Sequence, residues 1–207
     1  MATLLLAEQR SPAWFEGRLG QATTSRFSDI MARTRSGYGA SRKNYAAELV
    51  VERLTGTQAE NYSSVAMQWG TDNEPVARLQ YMLASGNDVD ETGFWIHDDL
   101  MAGASPDGLI GEDGLLEIKC PNTATHLDTL IKKSLPRQYQ AQVQGQMWIT
   151  GRKWCDFVSF DPRLTGNAQM FTIRVERDEI YIAELQEEVE TFLEEVADLV
   201  EFVKTYK

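Results

Sequence analysis

One short stretch, SPDGLIGEDGLLEIKC (residues 105–120), carries acidic and basic residues at a spacing that could do chemistry. The pattern is typical of two extended runs around a turn. Asp113-Gly114 is predicted to supply that turn, because glycine tolerates the positive φ of tight hairpins. The run after it alternates with period two, which puts Glu117 and Lys119 on one face of a strand. Asp107 belongs to the first run of the same predicted hairpin.

Two carboxylates and an ammonium on one hairpin suit the hydrolysis of a phosphodiester. Asp107 and Glu117 can hold a hard divalent cation, and the backbone carbonyl of Ile118 is a further candidate ligand. Such a cation stabilises charge on phosphoryl oxygens and activates a water, which Lys119 can orient. The pattern is the nuclease motif PD-(D/E)xK, here Pro106-Asp107 and Glu117-Ile118-Lys119. The same residues also fit a Glu–Lys pair that solvates an exposed strand face.

Length and composition are those of a globular protein. The chain has 207 residues, of which 43% are hydrophobic, and no Pro/Gly/Ser-rich linker, so a single domain over 1–207 is predicted. No apolar run reaches transmembrane length and the N-terminus lacks the features of a signal peptide, which predicts a cytoplasmic protein with no membrane partner. Two cysteines cannot form a four-thiolate iron–sulfur site, and two histidines leave little for a zinc site.

The charges are unevenly distributed along the chain. The net charge is −11, and residues 174–207 hold 11 acidic and 4 basic residues, whereas residues 26–43 hold five basic residues and one acidic residue. An acidic exterior beside a basic cleft would keep a polyanion in the cleft. An ordinary solvated surface explains the same average equally well, so charge alone leaves nucleic-acid binding open.

Several helices and short strands must position the hairpin. Helices are predicted at 23–32, 44–56, 137–150 and 178–204, and across 65–83 with a break near Gly70 and a restart around Pro75. Strands are predicted at 92–99, 101–110, 114–120, 154–160 and 169–176. Within the predicted helix at 137–150, Gln138, Gln142 and Gln146 form one row along the helix surface. The order predicts an α/β (α+β) fold with a central mixed β-sheet flanked by helices and a central crossover helix.

Four segments, in this order, resemble the lambda exonuclease family, the YqaJ-like viral recombinase nucleases of the PD-(D/E)xK superfamily. They are AWFEGRLGQATTSRFSDIM (13–31), MQWGTDNEPVAR (67–78), SPDGLIGEDGLLEIKCP (105–121) and YQAQVQGQMWIT (139–150). The resemblance covers nearly the whole chain. Four motifs in the same order and spacing are far more specific than the hairpin motif alone. The fold that the resemblance implies is the restriction-endonuclease-like core of that superfamily.

The resemblance also implies an activity. It is that of a Mg²⁺-dependent exonuclease that digests one strand of linear double-stranded DNA from a 5′ end, preferably phosphorylated, and releases 5′-mononucleotides. The remaining 3′ single-stranded overhang would serve single-strand-annealing recombination. Two Mg²⁺ ions are implied, with Mn²⁺ able to substitute. Members of the family assemble as homotrimeric rings, and the phage members work with a single-strand annealing protein. The resemblance therefore implies a homotrimer encoded by a phage or prophage and located in a bacterial cytoplasm.

Residue by residue, the resemblance implies metal ligation by Asp107, Glu117 and the Ile118 carbonyl. Lys119 would position the attacking water with help from Gln142. Two further matches each have an alternative interpretation. Glu74 matches an acidic residue near the metals, but it also fits an i+4 partner of Arg78 on a solvated helix. Tyr139 lies one turn before Gln142, but its spacing is also that of a core aromatic.

Other matched positions would contact DNA. Arg18, Ser25 and Ser105 match residues that hold the terminal 5′-phosphate, and a guanidinium with hydroxyls suits that anion. The serines fit helix capping or turn bonding equally well. Arg35 matches a DNA-contacting arginine of the basic loop. Met67 stands where an apolar residue wedges between the strands at the duplex end, although an apolar residue beside Trp69 also fits a core position.

Two rival functions are consistent with parts of this pattern. A restriction-type or repair endonuclease on the same fold would share the metal site, and digestion of closed circular DNA would identify it. A catalytically silent DNA-binding or structural phage protein could keep the fold alone. The intact set of Asp107, Glu117, Lys119 and Gln142 argues against that second rival.

Overall fold

The computed structural model describes residues 2–59 and 65–207. Ten strands lie within these ranges: β1 (Ala2–Leu5), β2 (Ala22–Thr23), β3 (Arg33–Thr34), β4 (Gly37–Tyr38), β5 (Phe94–His97), β6 (Ala102–Ala104), β7 (Gly108–Ile110), β8 (Gly114–Lys119), β9 (Trp154–Phe160) and β10 (Met170–Glu176). The α-helices of the same ranges are α1 (Pro12–Arg18), α2 (Phe27–Ile30), α3 (Ala40–Thr55), α4 (Val65–Ser85), α5 (Thr123–Lys132), α6 (Gln140–Thr150) and α7 (Glu179–Thr205).

The strands form two four-stranded sheets and one short hairpin. The strand orders are β1-β5-β6-β2 and β10-β9-β8-β7, and β3 pairs with β4. Each large sheet is mixed, because β2 runs parallel to β6 and β8 runs parallel to β9 while their other pairings are antiparallel. Helices α5 and α6 form the crossover between β8 and β9. The predicted mixed α/β class is therefore confirmed, with the strands divided between two sheets.

The predicted hairpin at 105–120 exists, but its turn differs from the prediction. Strands β7 and β8 pair antiparallel from Gly108↔Leu116 to Ile110↔Gly114. The turn spans residues 111–113 and its left-handed residue is Gly111, with φ of +53°, so the prediction is right for Asp113 and wrong for Gly114. Gly114 begins β8 instead, where a Cβ atom would come within 2.3 Å of the Trp154 ring. That glycine is required by close packing rather than by turn geometry.

Strand β8 carries the centre of the predicted site and is covered on both faces. Leu116 and Ile118 pack with Ala77 and Tyr81 of α4. On the other face, Leu115 joins a separate apolar cluster with Val143 and Met147 of α6. Glu117 and Lys119 share the face of Leu115, because side chains alternate along a strand. They therefore point toward α6 and not into open solvent.

Helix α4 is continuous, so the predicted break near Gly70 is wrong. Pro75 lies inside this helix. A proline removes one helical hydrogen bond, but Ala77 and Tyr81 beyond it are buried against the sheet, at 0% and 1% exposure. The packing of that apolar face maintains the helix through the proline.

Of the other helix predictions, the one at 23–32 is mostly wrong, and the rest differ from the structure at their ends. The segment 23–32 is one residue of β2, a 3₁₀ turn over 24–26 and the short helix α2, because Thr23 pairs with β6. Helix α3 begins four residues before the predicted start at 44, and it ends at Gly56, whose φ is +65°. Strands β1, β3 and β4 and helices α1 and α5 were not predicted. Among the described residues, no helix combines the length and apolarity that a bilayer crossing requires.

Candidate active site

Glu117 is a buried carboxylate held by three donors. Its exposure is 1%. Oε1 accepts a hydrogen bond of 2.6 Å from Gln142 Nε2 and lies 2.7 Å from Lys119 Nζ. Oε2 accepts a hydrogen bond of 2.7 Å from Gln146 Nε2. Such donors offset the cost of removing a carboxylate from water. The interpretation of Glu117 and Lys119 as a pair on an exposed strand face is therefore wrong.

Asp107 is fixed beside Glu117 by the hairpin. Its backbone N–H donates to the carbonyl of Leu116 at 3.0 Å, and its Oδ2 accepts from the Ile118 N–H at 2.6 Å. Burial, with the charges of Glu117 and Glu74, raises the pKa of Asp107 well above its ordinary value, although Lys119 and the Ile118 N–H act in the opposite direction. Burial is the largest cause of this rise, and a cation would relieve the part that comes from the neighbouring carboxylates.

The charged form of Lys119 is favoured in this site. Burial alone would lower its pKa, but the Glu117 and Asp107 carboxylates outweigh burial and raise the pKa above the ordinary lysine value. Its ammonium lies 5.2 Å from the centre of the Tyr139 ring. Tyr139 itself packs on Phe157 with ring centres 5.3 Å apart. A protonated lysine donates hydrogen bonds and does not act as a base toward water.

Glu74 faces the same cavity, but its carboxylate is held by arginines. Oε2 accepts from Arg10 Nη2 at 2.6 Å and Oε1 accepts from Arg78 Nη2 at 3.1 Å. The i+4 pairing with Arg78 is thus present. The predicted role of Glu74 near the metals stays a prediction.

The donor set suits a hard divalent cation. Asp107 and Glu117 supply carboxylate oxygens, and Ile118 lines the same cavity. Over residues 2–59 and 65–207, no three His, Cys, Asp or Glu side chains converge as a ready-made metal cage. Burial raises the pKa of the nearby Cys120 thiol to about 12, which disfavours a thiolate ligand. Mg²⁺ characteristically takes one or two carboxylates and completes its shell with water and substrate phosphate, so these residues fit Mg²⁺.

A guanidinium and a hydroxyl form the second part of the site. Arg18, the last residue of α1, donates from Nη1 to Ser105 Oγ at 3.1 Å, and Trp14 Nε1 donates to the same oxygen at 3.0 Å. The Arg18 guanidinium also lies 4.1 Å from the centre of the Trp14 ring. Burial lowers the pKa of Arg18 to about 10, which leaves it cationic at neutral pH. Such a group suits a phosphate.

One cavity of about 570 Å³ brings most of the predicted site residues together. Its lining includes Arg18, Ser25, Met67, Glu74, Ser105, Asp107, Glu117, Ile118, Lys119, Tyr139 and Gln142. Arg35 is not part of that lining and is exposed between β3 and β4. Met67 is 61% exposed at the start of α4, so it is not a core residue.

The structure adds two residues that were not predicted for the site. The first is Gln146, which contacts Glu117. The sequence could have assigned it to the site, because it lies one helical turn after Gln142 in the same glutamine row. Arg10 contacts Glu74 and lines the cavity. It stands alone in a loop, so no periodic pattern could have assigned it. Chemically, the cavity lining combines carboxylates that can hold a cation with a guanidinium that can hold a phosphate.

The chain matches the model of the YqaJ-like viral recombinase domain over residues 13–153. Its structure is similar to the crystal structure of an alkaline exonuclease (LHK-Exo) from Laribacter hongkongensis, with a TM-score of 0.87 and 48% identity over 94% of this chain and 96% of that chain. A crystal structure of LHK-Exo in complex with dAMP matches with the same values.

Two further relatives are more distant or shorter. A phage-related exonuclease from Haemophilus somnus 129PT gives a TM-score of 0.72 at 15% identity, over 88% of this chain and 96% of that chain, which shows a shared fold. The ExoD protein of Escherichia coli (strain K12) is 33% identical over 64 residues, which are 31% of this chain and 72% of the relative.

Proposed function

The chain belongs to the YqaJ-like viral recombinase family, and from this premise we propose that it is a Mg²⁺-dependent exonuclease that digests one strand of linear duplex DNA from its 5′ end. Its character as an alkaline-exonuclease-like nuclease follows from the 48% identity to LHK-Exo over most of both chains. The metal, the direction of digestion and the duplex substrate are the proposed refinements.

The observation that carries the proposal is that two groups of side chains line one cavity. The first is Asp107 and Glu117 with Lys119, and the second is Arg18 with Ser105. A terminal nucleotide has a phosphate on each side, so a 5′-phosphate on Arg18 would leave the next phosphodiester for Asp107 and Glu117. Hydrolysis there releases a mononucleotide. LHK-Exo has been crystallised with dAMP, a molecule of that class.

Each residue then has a defined task. When bound, Mg²⁺ would stabilise charge on the scissile phosphate and lower the pKa of a water. Asp107 and Glu117 would bind the cation, and Gln142 holds Glu117 in place. The Lys119 ammonium donates a hydrogen bond to the attacking water or to a phosphoryl oxygen, and its charge offsets the charge that develops in the transition state. Arg18 and Ser105, with Ser25, fix the terminal phosphate so that the scissile bond is positioned for attack.

The remaining DNA contacts and the assembly are also part of the proposal. Arg35 would contact the duplex, and Met67, exposed at the cavity, would wedge between the strands. The protein would form a homotrimeric ring and hand its 3′ overhang to a single-strand annealing protein. Sedimentation equilibrium should then give about three times the chain mass of 23.4 kDa. A stable monomer would remove the ring from the proposal.

A comparison of substrates tests the exonuclease against the endonuclease alternative. Linear duplex should be degraded from its ends in Mg²⁺, whereas the same plasmid as a covalently closed circle should remain intact. An Asp107→Asn variant provides the control for contaminating nucleases. Cleavage of the closed circle at a rate similar to that of the linear form would establish an endonuclease instead.

A further inference from the structure

We propose that Arg10 is a phosphate-contacting residue of the DNA cavity. The inference rests on the proposed function and adds a substrate contact that the family motifs did not supply. Arg10 lies in the loop before α1 and lines the same cavity as Arg18 and Asp107. Its side chain is 46% exposed, so its guanidinium is accessible from the cavity.

The backbone holds Arg10 in a costly conformation at this place. Its φ is +69°, in the left-handed region that non-glycine residues seldom occupy. The loop is anchored on both sides of it. Gln9 donates to the carbonyls of Pro106 at 2.7 Å and of Thr92 at 3.2 Å, and Ser11 caps α1 through the N–H of Trp14. Arg10 is therefore fixed between the segment that leads to Asp107 and the helix that carries Arg18. Strained residues of this kind concentrate at functional sites.

The ion pair with Glu74 engages only one nitrogen of the Arg10 guanidinium, Nη2. Glu74 also pairs with Arg78, whose side chain is 15% exposed and which also contacts Glu91. Glu74 therefore keeps a cationic partner when Arg10 turns toward a ligand. Among the described residues, Glu74 is the sole hydrogen-bond partner of the Arg10 side chain, through Nη2.

The uncommitted N–H groups suit a phosphate. A guanidinium carries five donors in a planar fork, and charge-assisted bonds to phosphate are among the strongest hydrogen bonds of proteins. The cavity also contains the carboxylates of Asp107, Glu117 and Glu74, which repel DNA. A cation at its wall lowers that repulsion. The ligand is thus a DNA phosphate, either a phosphodiester of the strand or the terminal 5′-phosphate.

Binding measured without catalysis tests the assignment. A short fluorescent duplex with a 5′-phosphate, and the same duplex with a 5′-hydroxyl, would be titrated in EDTA at several salt concentrations. The variant is Arg10→Gln. The matched control is Arg174→Gln, because Arg174 is 47% exposed, pairs with a carboxylate and does not line the cavity. Arg10→Gly is a second variant, because glycine accepts the positive φ without strain.

The expected result is specific to Arg10. Arg10→Gln and Arg10→Gly should both lose about tenfold in affinity, and the slope of log K against log salt should fall by about 0.9, as for one lost phosphate contact. Arg174→Gln should keep the slope of the parent protein. Equal losses on both duplexes identify a phosphodiester, and a loss confined to the phosphorylated duplex identifies the terminal phosphate.

Two results would overturn the assignment while the proposed function stands. In the first, the parent protein binds the duplex and the Arg10 variants bind with the same affinity and slope. In the second, Arg174→Gln loses as much affinity as Arg10→Gln, which would make the effect one of net charge. A parent protein with no affinity for duplex ends would overturn the proposed function together with the Arg10 contact.

Discussion

Gln146 donates a hydrogen bond of 2.7 Å to Oε2 of Glu117, the oxygen opposite the one that Gln142 contacts. Both glutamines come from α6, one helical turn apart, so a single helix holds both oxygens of the carboxylate. Gln146 is completely buried and therefore cannot contact DNA. Its contribution is to fix the orientation of Glu117, in the manner of residues that position metal ligands.

Replacing Gln146 by methionine should weaken metal binding. The variant keeps the volume of the side chain but removes the donor to Glu117, and the loss of such a supporting contact typically costs about 10–100-fold in metal affinity. Calorimetric titration with Ca²⁺, which avoids turnover, measures it. Gln144→Met is the control, because Gln144 is equally buried in α6 but bonds the backbone of Glu176 and Asp178. It should lower the melting temperature and leave metal affinity unchanged. Unchanged affinity in Gln146→Met would refute the role.

Metal binding should release protons and strengthen as the pH rises. Burial and the neighbouring carboxylates raise the pKa of Asp107 in the metal-free protein, so part of the population is protonated at a pH above the ordinary carboxyl range. A bound cation requires the ionised form. Affinity should therefore increase with pH until Asp107 is fully ionised and then level off. Titration in buffers of different ionisation enthalpy counts the released protons. An identical heat in all buffers would contradict this prediction.

Lys119→Ala should lose turnover and keep metal binding. The ammonium pairs with Glu117 at 2.7 Å, and we expect its loss to lower kcat by about 10²–10³, the range for one transition-state donor. Metal affinity should be unchanged or higher, because a positive charge beside the carboxylates has been removed. Lys153→Ala is the control, since Lys153 pairs with Asp113 on the surface. Normal kcat with weakened metal binding would show that Lys119 organises the metal site instead.

Arg18→Met should remove the preference for phosphorylated ends. Methionine preserves part of the apolar contact with Trp14 and Phe94 that the arginine makes but cannot bind phosphate. Two charge-assisted bonds of about 1.5–3 kcal/mol each are lost, so the rate on 5′-phosphorylated duplex should fall by roughly 10² or more. The rate on 5′-hydroxyl duplex should change little. A variant that retains the full phosphate-to-hydroxyl rate ratio of the parent would place the phosphate pocket elsewhere.

Local patterns and the family resemblance together named residues that the structure brings into one cavity. A two-residue alternation puts Glu117 and Lys119 on one strand face, and the hairpin motif adds Asp107 at a fixed spacing. The resemblance to the family, and not the helical row by itself, singled out Gln142. The glutamine row also contained Gln146, but only the packing of α6 on β8 shows that it meets Glu117.

Features that depend on long-range packing could not be predicted. Gly114 looked like a turn residue, and its real constraint is the Trp154 ring from β9. Pro75 looked like a helix start, and burial of Tyr81 against β8 and β9 maintains the helix through it. Arg10 contacts Glu74, which is 64 residues away in the sequence. In each case a distant element decides between local alternatives of similar energy.

Timed digestion of a linear duplex labelled on one strand, at its 5′ end or at its 3′ end, tests the proposed exonuclease activity directly. With Mg²⁺, the 5′-labelled strand should release a labelled mononucleotide at the earliest times, while the 3′-labelled strand should shorten progressively and keep its label. Without Mg²⁺, and with Asp107→Asn in its presence, both should remain intact. Early release of the 3′ label, internal fragments of random length, or digestion in EDTA would contradict the proposed metal-dependent 5′-to-3′ exonuclease.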